Sequence, residues 1–508
     1  MRHLLPAIAW FLGTASIPSG TAAETAPEVA LPVHWGQGLS RNQVSEERGL
    51  PDRFDPATGL NVRWVAELGT ESHATPIAAG GRVYLGTNNE RPRDERHQGD
   101  RGVFQCYDDR DGQFLWQLVI PKYSDDPYQD WPHAGISSTA TVHGDRVYVL
   151  SNRGEALCLD VHGQANGNQG PFTDEPRLQT PAGTDPLPLL PAEADALWAF
   201  DIHGEVDSYP HDAAHSSVLL LDGLLYINTG NGVDNTHRKI RRPDAPSLIV
   251  LDQQTGRLVA QDAERIGPRI FHCTWSSPAY GEVNGRGMIV FCGGDGVVYA
   301  FEPAAARPAG GAASALRKLW WFDCDPAAPK EEVHRFIGNR RESPSNIKSM
   351  PVFHEGRVYV TVGGDLWWGK QQAWLKCIDA GGAGDVTSTA ELWSYPLVRH
   401  SMSTPAVHGG LVYAADCGRM LHCVDAATGQ PVWTHSAEGE IWASPFVADD
   451  KVYLGTRRGD LIVLAAGREK RVLSTTRLDS PIHGTVTAAN ATLYVATMRR
   501  LYALGLPR

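Results

Sequence analysis

Several residue patterns that mark a particular chemistry are missing from this sequence. Its eight cysteines include no adjacent Cys-Cys pair, no CxxC pair of the kind that binds zinc and no CxxCH motif for covalent haem. No GxSxG, HExxH, P-loop or dinucleotide-binding motif occurs in its required context either. The sequence therefore gives no support to serine hydrolysis or phosphoryl transfer.

Excess positive charge and long apolar runs are also missing. The formal net charge is -12 at pH 7, whereas nucleic acids and anionic membranes bind proteins through clustered lysine and arginine. Beyond the N-terminal segment, no apolar run approaches the length needed to span a bilayer. We therefore expect neither a nucleic-acid partner nor a transmembrane segment in the mature chain.

The N-terminal segment predicts export. Residues 1–23 have a short basic start, an apolar run and small residues that end at Ala23. This order is typical of a secretory signal peptide cleaved near that residue. A single anchor helix is the alternative, but the apolar run is short for one and is interrupted by two prolines and a glycine. We expect an exported protein, either periplasmic or extracellular.

One unit recurs along the rest of the sequence. Residues 421–433 read LHCVDAATGQPVW, which is an apolar strand, an Asp, a Thr-Gly turn and a strand that ends in Trp. A strand centred on Val-Tyr, such as GGRVYLGT or EGRVYVTV, also returns in seven units, and an eighth unit has the variant RGMIVFCGG. β-branched and aromatic residues between Gly, Asp and Asn turns are typical of β-hairpins. Repeated four-strand units predict an all-β fold, an eight-bladed β-propeller without amphipathic helices.

The two ends of the repeat predict how the ring closes. The last unit, residues 481–504, has only three strands, while residues 61–68 form an isolated strand that matches the fourth strand of other units. This N-terminal strand would complete the last blade and remove two exposed sheet edges. We therefore divide the chain into a signal peptide (1–23), an N-terminal extension (24–60) and an eight-bladed propeller (61–506).

Residues that the units share are predicted to be structural. Tryptophans in the fourth strands should pack between neighbouring blades, and the cysteines are interpreted as small buried hydrophobic residues that do not pair. His422, inside the unit quoted above, is interpreted as an outward-facing strand residue. The six tryptophans are Trp64, Trp116, Trp198, Trp320, Trp393 and Trp433.

The repeat resembles that of a known family. Residues 424–433, VDAATGQPVW, are similar to the Ala-x-Asp-x-x-Thr-Gly-x-x-x-Trp motif of PQQ-binding-like propeller repeats, and residues 251–256 match its first part. Residues 34–45, HWGQGLSRNQVS, resemble the Trp-rich lead-in of exported bacterial members, without its Arg-Gly-Pro core. The resemblance implies the propeller shared by quinoprotein alcohol dehydrogenases and the outer-membrane assembly propeller lipoprotein. It implies no single function, since this fold carries enzymes and scaffolds alike.

Loop lengths single out one face of the predicted propeller. Loops between second and third strands and loops between blades emerge on the same face, which we call the decorated face because most insertions fall there. Only one long loop, residues 164–194, falls on the opposite face. Functional residues favour loops on a rigid scaffold, so we expect binding at the decorated face. Its insertions are residues 88–102, 121–136, 203–214, 231–246, 323–347 and 365–374.

One position in each unit, just before the first strand, should face the mouth of the central channel on the decorated face. A mouth lined by His, Trp and Lys would suit a small ligand or a metal. The alternative is that each histidine is bonded to loop carbonyls and merely lines a wet channel. The predicted ligand-binding residues are His73, His215, Trp275, Lys348, Met402, Trp442 and His483, with Ser137 at the remaining blade. Further candidates nearby are His133, His211, Asp212, His272 and His400.

We favour a non-catalytic function, in which an exported propeller binds a protein, a polysaccharide or a small ligand through its decorated face and channel mouth. No residue is predicted to be catalytic and no cofactor is predicted, while the sequence leaves metal binding open because ligands must converge in space. Exposed aromatic residues such as Trp131, Trp367 and Trp368 would suit sugar stacking or a protein contact.

The alternative function is that of a PQQ-dependent quinoprotein dehydrogenase acting on alcohols or sugars. The resemblance implies for such enzymes a vicinal Cys-Cys disulfide beside the quinone, a Ca²⁺ held by carboxylates and Asn, and an Asp base. This sequence has no Cys-Cys pair, and we place no set of oxygen ligands for Ca²⁺ at the channel mouth. Lys348 could still pair with an anionic ligand, and Trp275 or Trp442 could stack on a flat ring.

Overall fold

The computed structural model describes Met1 and residues 31–123, 129–305 and 311–507. Residues 2–23 of the predicted signal peptide lie outside the described residues, so export stays a prediction. Eight antiparallel sheets follow one another along the chain, each built around four strands. This arrangement confirms the predicted eight-bladed β-propeller. Within the described residues, no helix is both long and apolar enough to cross a membrane.

Two strands precede the first complete blade, β1 (Val44–Ser45) and β2 (Val62–Glu67). Each blade then runs from its innermost strand outward. Blades 1 to 3 consist of β3 (Ile77–Ala79), β4 (Arg82–Asn88), β5 (Arg101–Asp108) and β6 (Phe114–Pro121); β7 (Thr141–His143), β8 (Arg146–Leu150), β9 (Glu155–Asp160) and β10 (Ala196–Asp201); β11 (Leu219–Leu221), β12 (Leu224–Asn228), β13 (Leu248–Asp252) and β14 (Leu258–Gln261).

Blades 4 to 6 follow the same plan, and three short strands are interspersed among them. The strands are β15 (Ala279–Val283), β16 (Arg286–Cys292), β17 (Val297–Phe301), β18 (Ser314–Ala315, at the edge of blade 3) and β19 (Lys318–Asp323); β20 (Ser345–Asn346), β21 (Val352–His354), β22 (Arg357–Gly364), β23 (Ala373–Asp379), β24 (Gly384–Asp385, at the edge of blade 4) and β25 (Glu391–Leu397); β26 (Ala406–His408), β27 (Leu411–Asp416), β28 (Met420–Asp425) and β29 (Pro431–Ser436).

Blades 7 and 8 complete the ring. Their strands are β30 (Phe446–Ala448), β31 (Lys451–Gly455), β32 (Asp460–Ala465) and β33 (Val472–Arg477); β34 (Thr487–Ala489), β35 (Thr492–Ala496) and β36 (Arg500–Leu504). Helical structure in the described residues is confined to α1 (Glu175–Leu178), α2 (Ile202–Val206) and the 3₁₀ turns Gly163–Asn166, Gly267–Arg269 and Val333–Phe336.

The ring closes as the sequence predicts. Strand β2 pairs antiparallel with β36, so that Val62 lies opposite Leu504 and Glu67 lies opposite Arg500. β2 is therefore the fourth strand of blade 8, and the two ends of the propeller share one sheet. The closure leaves no open edge between the first and last blades.

The repeated tryptophans pack between blades, as predicted. The indole of Trp116 donates to the carbonyl of Val161 in the next blade (2.9 Å), and that of Trp393 donates to Ala426 (3.0 Å). The glycine of each Thr-Gly turn lies against such a ring, as Gly429 does against Trp393. The repeat motif is thus one inter-blade joint, in which the Trp of one blade sits on the turn of the next.

Substituting Gly429 by alanine should destabilise the propeller more than the same change at Gly409. Both glycines have left-handed φ (71° and 58°), which costs an alanine roughly 1–2 kcal/mol. At Gly429, a Cβ would also lie 2.7 Å from the Trp393 ring, whereas Gly409 has open space, so overlap should add about 1–3 kcal/mol. Urea unfolding of both variants measures the difference, and an equal loss of unfolding free energy in the two would contradict tight packing of Gly429 against Trp393.

The cysteines and His422 test two further sequence interpretations. All eight cysteines are buried and free, which confirms that they act as small hydrophobic residues. The interpretation of His422 is wrong, because this residue is only 2% exposed. Its Nε2 lies 2.9 Å from Asp416 and its Nδ1 lies 3.1 Å from the Tyr395 hydroxyl. A blade is covered by neighbours on both faces, so its inner strands have no outward side.

The N-terminal extension packs against the innermost strands, which surround the central channel. It runs along the innermost strands of successive blades, as Val33 bonds to Val142 of blade 2, the Leu39 carbonyl accepts from Tyr280 of blade 4, and β1 pairs parallel with β30. These contacts lie on the innermost strands, which follow the channel-mouth residue of each blade, and Trp35 of this segment lines the channel. We call residues 33–50 the plug.

Candidate functional site

One funnel opens at the decorated face, with a cavity of about 510 Å³. The structure brings together all seven residues predicted to face the channel mouth, because equivalent positions in successive blades lie at equal distance from the axis. Their role in binding a ligand stays a prediction. The residues that line the funnel are His73, His215, Trp275, Lys348, Met402, Trp442 and His483, and Ser137 joins them from the remaining blade.

The floor of the funnel comes from the plug. Trp35 lines the cavity and donates its indole hydrogen to Thr75 Oγ1 (3.1 Å). The fully buried guanidinium of Arg41 holds this segment in place, since it donates to the carbonyls of Trp35 (3.1 Å), Ser217 (2.8 Å) and Pro278 (2.8 Å). Sequence reasoning placed no functional residue here. The available signal was the Trp in the HWGQG lead-in.

Tryptophans from the decorated loops form the walls. Trp275 and Trp367 meet at 6.0 Å with their rings nearly perpendicular, and Trp367 meets Trp442 at 6.2 Å in the same way. Two more, Trp131 and Trp368, stand at the rim and are 47% and 36% exposed. Edge-to-face contacts hold Trp275, Trp367 and Trp442 in fixed orientations, so flat indole surfaces are displayed around one cavity.

A histidine pair forms another part of the wall. His73 and His483 belong to blades 1 and 8, and their Nδ1 atoms lie 3.1 Å apart, so one ring donates to the other. Trp442 lies 4.8 Å from the His483 ring, and the Arg457 guanidinium lies over the same indole at 4.2 Å and donates to Nε2 of His483 (3.1 Å). Glu440 pairs with Arg457 at 3.0 Å, so the charge beside this wall is balanced.

Lys348 is held in a buried ion pair. Its Nζ lies 3.1 Å from Asp365, whose carboxylate also contacts Nδ1 of His272 at 3.0 Å. Burial alone would raise the pKa of Asp365, but Lys348 and His272 hold it well below its ordinary value. Burial raises the pKa of the neighbouring Cys273 to about 12, so that thiol is neutral and Asp365 is the counter-charge of Lys348. The lysine therefore brings no unbalanced charge to the funnel.

Three further histidines converge on one side of the funnel. His211 precedes β11, His237 lies in the loop between β12 and β13, and His272 precedes β15. One ring nitrogen from each lies within 4.8 Å of the others. Burial lowers the pKa of all three histidines, so their rings are neutral near pH 7. Sequence reasoning identified His211 and His272 as candidates but missed His237, which sits in an irregular loop.

The remaining sequence candidates separate into different surroundings. Asp212 lines the funnel beside His211. His400 is buried outside the cavity lining, and burial lowers its pKa to about 3. His133 belongs to an exposed group with Glu90 and Asp100, with its Nδ1 2.6 Å from Glu90. Burial likewise lowers the pKa of His215, a funnel residue, to about 3. The funnel thus offers neutral imidazoles and indole faces next to carboxylates.

Comparison with known proteins places the chain among propellers. The sequence model of the family described as outer membrane protein assembly factor BamB matches residues 53–177 and 374–504, which together make up half of the chain. The BamB structure from Moraxella catarrhalis is similar at a TM-score of 0.51 and 12% identity, covering 87% of this chain and 97% of that one. None of the curated proteins matches the sequence.

Two solved enzymes share the same fold. A europium-containing methanol dehydrogenase is similar at a TM-score of 0.59 and 10% identity, covering 93% of this chain and 98% of that one. The quinohemoprotein alcohol dehydrogenase from Comamonas testosteroni is similar at a TM-score of 0.56 and 12% identity, covering 94% and 81%. At such identities the likeness shows the fold alone.

Proposed function

The chain belongs to the family described as outer membrane protein assembly factor BamB, and we propose that it is an exported, non-catalytic binding protein whose funnel holds a saccharide. The observation that supports this function is the arrangement of tryptophans around a single recessed cavity. Trp131, Trp275, Trp367, Trp368 and Trp442 all line it.

The size of the cavity favours a small ligand. Its volume of about 510 Å³ falls within the range of roughly 300–1,000 Å³ typical of small-molecule sites. A protein partner needs a broad surface, with roughly 800 Å² buried on each side. A recess with a closed floor therefore suits the end of a sugar chain or a short oligosaccharide better than a protein surface.

The chemistry of the lining favours a ligand with both apolar faces and hydroxyl groups. Indoles offer flat surfaces for the C–H face of a pyranose ring, while Glu71, Asp212 and neutral His215 offer hydrogen-bond acceptors between them. The ion pair of Lys348 and Asp365 is satisfied within the wall. A neutral, polyhydroxylated ligand therefore suits the funnel, because it needs no charged side chain as a partner.

The funnel does not fit PQQ with Ca²⁺, the cofactor of the alternative function. Ca²⁺ takes six to eight oxygen ligands, but Asp365 is already engaged by Lys348 and His272, and histidines and tryptophans dominate the lining. The sequence has no adjacent cysteines, and Cys273 contacts Lys348 at 3.0 Å instead.

Removing Trp442 should weaken sugar binding by about tenfold or more, since one lost aromatic contact corresponds to roughly 1.4 kcal/mol. Tryptophan fluorescence is titrated with trisaccharides of glucose, xylose, galactose and N-acetylglucosamine. At least one should give saturable binding to the full chain, and Trp442→Ala should raise its Kd. Trp374→Ala removes a half-buried tryptophan outside the funnel and should leave the Kd unchanged.

Two outcomes would contradict this function. One is that no sugar binds, or that the Trp374 variant loses binding as much as the Trp442 variant does. The other is that protein incubated with PQQ and Ca²⁺ oxidises alcohols or aldoses in a dye-linked assay. That second result would support the quinoprotein alternative.

A further inference from the structure

The side of the funnel formed by His211, His237 and His272 has the composition of a metal site. The rings of His211 and His237 lie 4.8 Å apart between centroids, as do those of His211 and His272, and the third distance is 5.4 Å. His211 and His272 are 0% and 3% exposed, while His237 is half-buried and lines the funnel with His272. One nitrogen of each ring lies within 4.8 Å of the other two.

Hydrogen bonds orient two of these rings in the way that metal ligands are oriented. Nδ1 of His272 faces Asp365 at 3.0 Å, so it carries the hydrogen in the neutral ring. Nε2 of His272 is then a lone pair, and it is buried with no hydrogen-bond partner among the described residues. Nδ1 of His211 faces the Val233 carbonyl at 2.8 Å, which likewise leaves Nε2 as the electron-pair donor.

A carboxylate stands beside these lone pairs. Asp212 Oδ1 lies 3.4 Å from Nε2 of His211, so an oxygen acceptor and a nitrogen acceptor face each other at the funnel wall. A cation placed between them would be bound by both. Two neighbouring residues hold unusual backbone conformations, since Asp212 and His237 have φ of 67° and 59°. Such conformations cluster at ligand sites, where the surrounding structure holds them in place.

We propose that His211, His237 and His272 bind one divalent late transition-metal ion, with Zn²⁺ as the natural occupant and a fourth position open to the funnel. Three imidazoles with one open position form a common tetrahedral zinc site. Neutral nitrogen ligands favour Zn²⁺, Cu²⁺ and Ni²⁺ over Ca²⁺ and Mg²⁺. The site does not rest on the sugar-binding function.

The described geometry needs only a small closure to hold the ion. Zn–N bonds are about 2.0–2.1 Å long, which places ligand nitrogens about 3.3 Å apart in a tetrahedron. The nitrogens here lie within 4.8 Å of one another, so closing each distance by up to about 1.5 Å, chiefly through the half-buried His237, completes the site. Asp365 balances Lys348, and Asp212 offsets part of the charge of the incoming ion.

Metal binding by the full chain tests this proposal. The protein is stripped with a chelator and titrated with Zn²⁺ by calorimetry and with Co²⁺ by visible absorption, whose intense bands report a tetrahedral nitrogen site. We expect one equivalent of each ion to bind. Trp368 lies 5.2 Å from the His237 ring and Trp367 lies 5.4 Å from the His272 ring, so Co²⁺ should also quench tryptophan fluorescence.

Variants separate this site from the other histidine clusters. His237→Ala, the change least disruptive to the core, should abolish stoichiometric binding and the Co²⁺ bands without changing the metal-free melting temperature. Asp365→Asn, which changes the partner of His272 and also removes the counter-charge of Lys348, should weaken Zn²⁺ binding by about 10–100-fold. His133→Ala is the matched control in the exposed group with Glu90 and Asp100 and should bind Zn²⁺ normally.

The contrary results are equally specific. Absence of stoichiometric Zn²⁺ or Co²⁺ binding to the full chain would overturn the site. Normal binding by His237→Ala, or loss of binding only in His133→Ala, would move the metal elsewhere and also overturn it. Sugar titration of the chelator-treated protein reports the funnel separately, so failure of one proposal is distinguishable from failure of the other.

Discussion

A chain that begins at Leu68 should fail to form a stable propeller. The deletion removes β2, so β36 becomes an open sheet edge, and it removes Trp64, whose indole donates to Asp109 of blade 1 at 3.0 Å. It also removes the plug and its hydrogen bonds to the innermost strands of the other blades. We expect loss of the cooperative unfolding transition, or a fall in Tm of at least about 10 °C.

Two companion chains locate the cause of that loss. Removing residues 2–23 should leave the Tm unchanged, because a signal peptide is absent from the mature protein. Trp64→Ala in the full chain should cost about 3–5 kcal/mol, as expected for a large buried aromatic residue. A truncated chain with the Tm of the full protein, measured by circular dichroism or calorimetry, would refute closure by β2.

Replacing Arg41 by methionine should destabilise the protein by about 3–6 kcal/mol. The guanidinium is fully buried and serves as donor to three carbonyls, those of Trp35, Ser217 and Pro278. Methionine fills a similar volume but donates nothing, so each buried carbonyl loses a donor at about 1–3 kcal/mol, and relief of the desolvation cost of the buried guanidinium offsets part of that sum. The floor under the funnel should loosen as well, so sugar binding should weaken together with stability.

Arg48 is the matched control for Arg41, because it lies in the same plug. Its guanidinium is 62% exposed and pairs with Asp450 at 3.0 Å on the surface. Exposed pairs of this kind contribute little, so Arg48→Met should change the unfolding free energy by no more than about 0.5 kcal/mol. Urea unfolding compares the two variants. A similar loss of unfolding free energy in both variants would show that the buried hydrogen bonds of Arg41 do not hold the plug in place.

The fold could be predicted from the sequence because the same four-strand unit recurs eight times along the chain. The units share a turn-and-hairpin pattern and six of the eight carry the inter-blade Trp, so strand order, blade number and closure by β2 could all be predicted. The channel mouth could be predicted for the same reason. Equivalent positions in a ring lie at the same distance from its axis. His73, Trp275 and Lys348 therefore line the same funnel although they are far apart in sequence.

The parts that could not be predicted lie outside the repeat. Trp35 forms the floor only because the plug crosses the closed ring, and no local pattern gives that path. His237 and Asp365 sit in loops with no counterparts in other blades, so their meeting with His272 depends on tertiary contacts alone. His422 was misinterpreted because strand alternation predicts an outward side that a blade covered on both faces does not have.

The central claim is that the funnel above the plug binds a sugar. The most direct measurement is a crystal structure of the full chain grown with the trisaccharide that binds best in the fluorescence titration. We predict density for a pyranose ring inside the funnel, stacked on Trp275, Trp367 or Trp442. Density for the sugar elsewhere on the molecule, with none in the funnel, would contradict the claim.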